Sequence, residues 1–199
     1  MKKKILFLST LLLFCSCDVV NNLGGTYQLL THGEYRFHSL SNIELAGIGL
    51  GNASAIPASK LVSLATVLAG GGFSSQSIPL SMTLNLNVTN PNKMTGFIGA
   101  LDYVIQINEM DLVEGKMESP VSIGPGETAI LPIPVSVDLK GLIARYSRQR
   151  VSSEMSDFLG ITHNKTSVTV KLWPKFSVGS TLLKSPVAIP VTFDFGGKN

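Results

Sequence analysis

The sequence predicts a mostly β protein: an antiparallel β-sandwich of about seven short strands with one or two helices. Three observations predict it. Apolar and polar residues alternate strictly in short runs, as Met82, Leu84, Leu86 and Val88 do against Ser81, Thr83, Asn85 and Asn87. Such runs recur along the chain with Gly, Pro and Asn turns between them. Hydrophobic residues fill 44% of the 199 positions and charged residues 15%, which suits one domain with a sizeable core.

Residues 1–16 read as a secretory leader. Lys2, Lys3 and Lys4 form a basic start, and Ile5 to Phe14 is apolar except for Ser9 and Thr10. A run of about ten residues is too short to cross roughly 30 Å of hydrocarbon. Phe14, Cys15, Ser16, Cys17 and Asp18 follow, which resembles a bacterial lipobox. Cys17 is the expected lipidation site because the small Ser16 precedes it, whereas Cys15 would put Phe14 in the small position. A disulfide between Cys15 and Cys17 has poor geometry at that spacing. With Cys17 lipidated, the folded part has no cysteine, so disulfides, thiolate metal sites and cysteine nucleophiles drop out. The expected location is the bacterial cell envelope, anchored by lipid, on the outer membrane where a cell has two. The leader also explains the charge: without its three lysines, the formal +3 becomes 13 basic against 13 acidic groups. That balance gives no support to nucleic-acid binding.

Residues 17–33 hold Asn21, Asn22, Gly24 and Gly25, and read as the lipidated N-terminus and a tether. Residues 34–199 read as the sandwich domain, with an insertion at 51–76. Glu34 to Ile48 suggests one or two short strands, with Tyr35, Phe37, Ile43 and Leu45 alternating. Gly47 to Gly51 has the wrong spacing for a phosphate loop and reads as a strand end. Pro57 to Ala69 is a helix candidate with Leu61, Leu64, Val67 and Leu68 near one face, stopped by Gly70 to Gly72. The strand from Ser81 stops at Asn90, Pro91 and Asn92, where the asparagines suit a turn held by local hydrogen bonds. Leu101 to Asn108 and Met110 to Met117 form the next two strands around a polar turn.

Gly124, Pro125 and Gly126 make a turn before the longest alternation, Ala129 to Leu139. Pro132 and Pro134 lie on its opposite face and require an edge strand or an irregular pairing. Leu142 to Leu159 predicts a second helix, with an apolar stripe of Leu142, Tyr146, Val151, Met155, Phe158 and Leu159. Arg145, Arg148 and Arg150 read as its solvated face, with docking of an acidic partner as the alternative. Val168, Val170 and Leu172 form a strand ended by Trp173 and Pro174, and Phe176 and Val178 suggest a short continuation. Val187 to Phe195 is the last strand.

The run from Met82 to Asn92, an alternating strand closed by Asn90, Pro91 and Asn92, resembles the signature of the late embryogenesis abundant type 2 family, also called the water stress and hypersensitive response domain. The second strand, the turn, the Pro and Val strand at Ile130 to Val137, the helix and the last hairpin follow in the family's order. The segment 51–76 departs from that pattern. The resemblance implies a fibronectin-III or immunoglobulin-like sandwich without a recognised active site, and a stress-protective or loosely defined binding role.

The residues themselves point the same way. His32, His38 and His163 form no H-E-x-x-H or H-x-x-H spacing, so each reads as a surface or turn residue. Glu109, Asp111, Glu114 and Glu118 match no EF-hand loop and read as a polar hairpin. No G-x-S-x-G elbow is present. The expectation is therefore a non-enzymatic, membrane-anchored binding or structural module with no metal and no cofactor. The membrane is met through lipid on Cys17, and a protein partner is the further expectation. The alternative is a carrier or chaperone for a lipid or other apolar ligand, with 51–76 as a lid.

Overall fold

Strict alternation gives each strand one face to bury, and the strands pair into two antiparallel sheets that bury those faces against each other. The computed structural model describes residues 16–52, 58–66, 77–159, 161–162, 164–178 and 181–196. Residues 1–15 of the leader, Pro57 and residues 67–72 of the first helix candidate and its stop, and His163 lie outside the described residues.

The first sheet contains β1 (Glu34–Leu45), β2 (Ile48–Gly51), β3 (Pro79–Thr89) and β8 (Thr128–Asp138), in the order β2-β1-β3-β8. The second contains β5 (Ala100–Ile107), β6 (Met110–Met117), β9 (Lys165–Val178), β10 (Thr181–Lys184) and β11 (Ile189–Gly196), in the order β10-β9-β5-β6 with β11 also on β9. A short ribbon pairs β4 (Gly96–Ile98) with β7 (Val121–Ile123). The helices are α1 (Ser16–His32), α2 (Ala58–Thr66), α3 (Leu139–Tyr146) and α4 (Arg148–Phe158). The expected antiparallel sandwich is thus present, with α2 inside the predicted range 57–69.

The core is the sum of the alternating faces. Leu80, Met82, Leu84, Leu86 and Val88 of β3 are all buried, as are Leu131, Ile133 and Val135 of β8. They meet Leu101, Tyr103, Ile105 and Ile107 of β5 and Val168, Val170 and Leu172 of β9 in one cluster. Each fully buried aliphatic side chain is worth about 1.5–3 kcal/mol. Pro132 and Pro134 sit exposed on β8, the last strand of its sheet, as two missing N–H donors demand. The Pro134 carbonyl faces away from β3 and accepts the Tyr103 hydroxyl, which ties the two sheets. Gly115 lies opposite Tyr103, and a Cβ there would stand 2.2 Å from the Tyr103 oxygen.

Four expectations need correction. The tether is not loose chain: α1 runs through it, and Leu29 and Leu30 are buried in the core. The predicted helix over 142–159 is two helices that meet at Ser147. The stripe explains the break. Tyr146 to Val151 is a step of five, which would swing the apolar face about 140° in a continuous helix. Ser147 resets it with φ 91° and ψ 153°. Trp173 and Pro174 do not end β9. The Pro174 carbonyl accepts Ser185 N–H at 2.8 Å, so its nitrogen faces the same side, in the gap between the partner of Leu172 on β11 and that of Lys175 on β10. No ladder bond is lost there. Finally, Val187 precedes the last strand and is 70% exposed.

Two polar side chains hold the helices onto the sheets. Asn108 and Glu109 form the two-residue turn of the β5–β6 hairpin with φ 43° and 65°, the signature of a type I′ turn. Asn108 Oδ1 accepts Ser167 N–H at 2.9 Å and Nδ2 donates to Glu154 at 2.5 Å, which joins the turn to β9 and α4. Asp138 caps α3 by accepting Lys140 N–H at 3.0 Å, and also takes Ile78 N–H at 2.9 Å.

Ser147 yields a test. Its backbone lies where only glycine is at ease, a strain of about 1–3 kcal/mol. Its hydroxyl accepts Arg150 N–H at a long 3.4 Å, and a glycine cap is only a few tenths of a kcal/mol poorer. Ser147→Gly should raise the urea midpoint by roughly 1 kcal/mol of stability. A lower midpoint would mean that capping outweighs strain.

Candidate functional site

The Asn90, Pro91, Asn92 turn closes one end of the sandwich. Asn90 is fully buried, Pro91 exposed and Asn92 partly buried. Asn90 Nδ2 donates to the carbonyls of Met94 at 2.8 Å and Ile123 at 2.9 Å. Its Oδ1 accepts Asn92 N–H at 3.1 Å and Asn92 Nδ2 at 3.0 Å. Its backbone N–H reaches Glu127 and its carbonyl takes Gly126 N–H. Both amide donors and both side-chain acceptor positions are used, so no hydrogen-bonding capacity of the side chain is left for a ligand. The turn joins β3, the β4–β7 ribbon and the start of β8.

Helix α1 docks at this same end, and Cys17 lies in its first turn. The docking depends on two glycines. A Cβ on Gly25 would stand 2.2 Å from the Thr95 carbonyl, and one on Gly96 would stand 2.5 Å from Leu29 Cβ. Thr26 Oγ1 accepts Phe97 N–H at 3.2 Å. Helix and strand therefore touch backbone to backbone. Among the described residues no helix is long and apolar enough to cross a membrane.

The carboxylates singled out in the sequence do not converge. Glu109 lies in the type I′ turn, Asp111 accepts Gln106 Nε2 at 2.6 Å, and Glu114 and Glu118 are exposed along and beyond β6. His32 ends α1 beside the Thr31 hydroxyl and His38 is exposed on β1. Among the described residues no three His, Cys, Asp or Glu gather around a common point.

Two open clefts were not legible in the sequence. One lies on the outer face of the second sheet around Trp173, Asp102 and Lys184. Asp102 meets Lys175 at 2.5 Å and Lys184 at 3.0 Å there, and Lys184 lies 5.1 Å from the Trp173 ring centre. The hydrogen bond from Lys175, with help from Lys184, holds the Asp102 carboxyl below its ordinary range. The other cleft runs between β6 and α3, with Val137 and Leu142 beside Asp138 and Arg145. Register alone carries these contacts, since Asp102 pairs with Trp173 across strands far apart in sequence.

A family model described as late embryogenesis abundant protein matches residues 85–193. No curated protein matches the chain. Among solved structures, a crystal structure of a protein from Archaeoglobus fulgidus is similar at 15% identity and a TM-score of 0.38, over 63% of this chain and 90% of that one. A solution structure from Arabidopsis thaliana is similar at 13% identity and a TM-score of 0.40, over 61% and 72%. A solution structure described as a late embryogenesis abundant (LEA) protein gives 14% identity and a TM-score of 0.37, over 98% and 87%.

Asn90→Ala would orphan two carbonyls and the Asn92 N–H in a buried corner. At about 1–3 kcal/mol for each buried orphan, chemical denaturation should show a loss of about 3–5 kcal/mol. Asn90→Asp should cost at least as much at neutral pH, because a carboxylate oxygen then faces those carbonyls. Burial there raises its folded pKa, so the charge part of that penalty is absent below about pH 4 and grows as pH rises above it, while the single O–H of the protonated acid leaves one carbonyl without its donor. A pH-independent loss would show that charge plays no part.

Asp138 has the opposite sign. The Ile78 N–H, backed by that of Lys140, holds its carboxyl below 3.8. A depressed pKa gives stability that is present above the unfolded value and lost as pH falls through the folded one. The stability gap between wild type and Asp138→Ala should therefore be flat from neutral pH to about 5, and narrow below about 4. A gap unchanged in acid would separate the cap from the charge.

Proposed function

Because the chain belongs to the late embryogenesis abundant protein family, we propose that it is a non-enzymatic, stress-protective binding or structural module, held at the bacterial cell envelope by lipid on Cys17. One observation carries this reading: α1 begins at the lipobox-like residues and buries Leu29 and Leu30 in the core near its other end. Eight helical steps lead from Cys17 to the docked Gly25, a rise of about 12 Å. A lipid on Cys17 would hold the sandwich close to the membrane by a stiff post. The described inward positions are filled by packed side chains, which favours a module over a carrier of apolar ligand. The described clefts are open and lined by charged residues, and in the Trp173 cleft Asp102 is paired with Lys175 and Lys184.

The anchor is tested by metabolic labelling with radioactive palmitate and by membrane fractionation. Cys17→Ala should leave unprocessed precursor without label, and Cys15→Ala should label normally. Full labelling of the Cys17 variant would overturn the anchor and point to Cys15.

A further inference from the structure

Arginines 145, 148 and 150 lie at the junction of α3 and α4, and all three are exposed. The guanidinium carbons of Arg145 and Arg150 lie 6.0 and 5.4 Å from the centre of the same Tyr146 ring. That ring is itself fixed, since the Tyr146 hydroxyl accepts Asp111 N–H at 3.2 Å. Of its five donors, Arg150 spends one on the Asn108 carbonyl at 3.4 Å. Neither Arg145 nor Arg150 has a carboxylate within salt-bridge distance among the described residues.

This is a costly arrangement for a protein whose charges otherwise balance. Two guanidiniums share one aromatic ring and no counterion. Arg148 and Arg150 also occupy the first turn of α4, which contains no acidic residue. That is the end of a helix at which cations are disfavoured. Asp111, Glu114 and Asp138 line the cleft beside Arg145, yet among the described residues none comes within salt-bridge distance of Arg145 or Arg150; Asp111 is held by Gln106 and Asp138 by two backbone N–H groups. Fixed guanidiniums with unused planar forks suit incoming carboxylates.

We propose that the α3–α4 junction is a docking surface for an acidic polypeptide segment of a partner protein, its carboxylates paired with Arg145 and Arg150. One observation favours a polypeptide over a lipid surface. The junction follows the Asp138 end of β8, whereas α1 docks at the Thr128 end, and the strand of 11 residues separates the two by about 35 Å. On the anchored reading above, the arginines face away from the membrane.

The test uses the full chain in non-ionic detergent at low ionic strength, with oligo-L-glutamate as probe. Wild type should bind it. Arg145→Gln with Arg150→Gln should weaken binding about tenfold or more without lowering the melting temperature. Lys93→Gln with Lys116→Gln, an equal change of charge elsewhere, should stay within about twofold. No binding by wild type, or equal losses in the two double variants, overturns the proposal. Tighter binding to phosphatidylglycerol vesicles with the same arginine dependence overturns it in favour of a lipid surface. The Cys17→Ala chain should bind oligo-L-glutamate as wild type does, so failure of the anchor and failure of the docking surface are read separately.

Discussion

A buried backbone must find partners for its N–H and C=O groups, and the whole sandwich turns on how it meets that constraint at its corners. Within the sheets the ladders suffice. At the end of β3 the chain leaves the sheet at Asn90, which is fully buried, before Pro91 returns it to the surface. One side chain replaces the missing ladder: Asn90 makes the hydrogen bonds that a neighbouring strand would have made. Only an amide serves, because the corner asks for two donors and two acceptors on one short stem. The opposite end uses the same solution twice, in Asn108 and Asp138. The strands supply the apolar burial, and these three residues determine which elements lie beside which.

Glycine plays the complementary part. Where Asn90 fills a gap, Gly25, Gly96 and Gly115 create one. Glycine is usually read from sequence as freedom of φ, yet here it serves the close approach of two surfaces. That difference decides how α1 behaves. A glycine pair in a loose tether would let the domain swing. Gly25 pressed against Thr95, with Gly96 pressed against Leu29, fixes the helix to the core, and with it the direction in which any attached lipid would pull.

These two roles explain what was legible in the sequence. Period-two alternation is written directly in β3, β5 and β8, because one face of each strand must be buried. Pro132 and Pro134 narrowed β8 to an edge or an irregular pairing, and the structure shows the edge. Asn90, Pro91 and Asn92 were legible as a turn, although not the number of elements it joins. The ribbon of β4 and β7 was not, because three residues are too few to show a period. Helix α1 was hidden by reading Gly24 and Gly25 as a linker; Thr26, Leu29 and Leu30, spaced by three and four, were the signal available. The break at Ser147 was legible in principle, in the step of five from Tyr146 to Val151. Continuity through Pro174 was not, because it depends on a gap between two partner strands that only the pairing reveals.

The charges follow a similar division between local and global order. The domain's formal charges nearly cancel, so long-range steering contributes little to what it meets. Any electrostatic selectivity must come from local segregation. Around Trp173 the segregation closes in large part, since Asp102 pairs with two lysines and lies low in pKa as a result. At the α3–α4 junction it stays open, because the helix break that restores the apolar stripe also brings Arg145 and Arg150 to one ring. The backbone strain at Ser147, the shared ring and the unpaired guanidiniums thus have one origin. A chain that needed only to bury Val151 and Met155 had no need to place arginines there. Burial explains the break, and the choice of arginine at its rim is the part that packing leaves over.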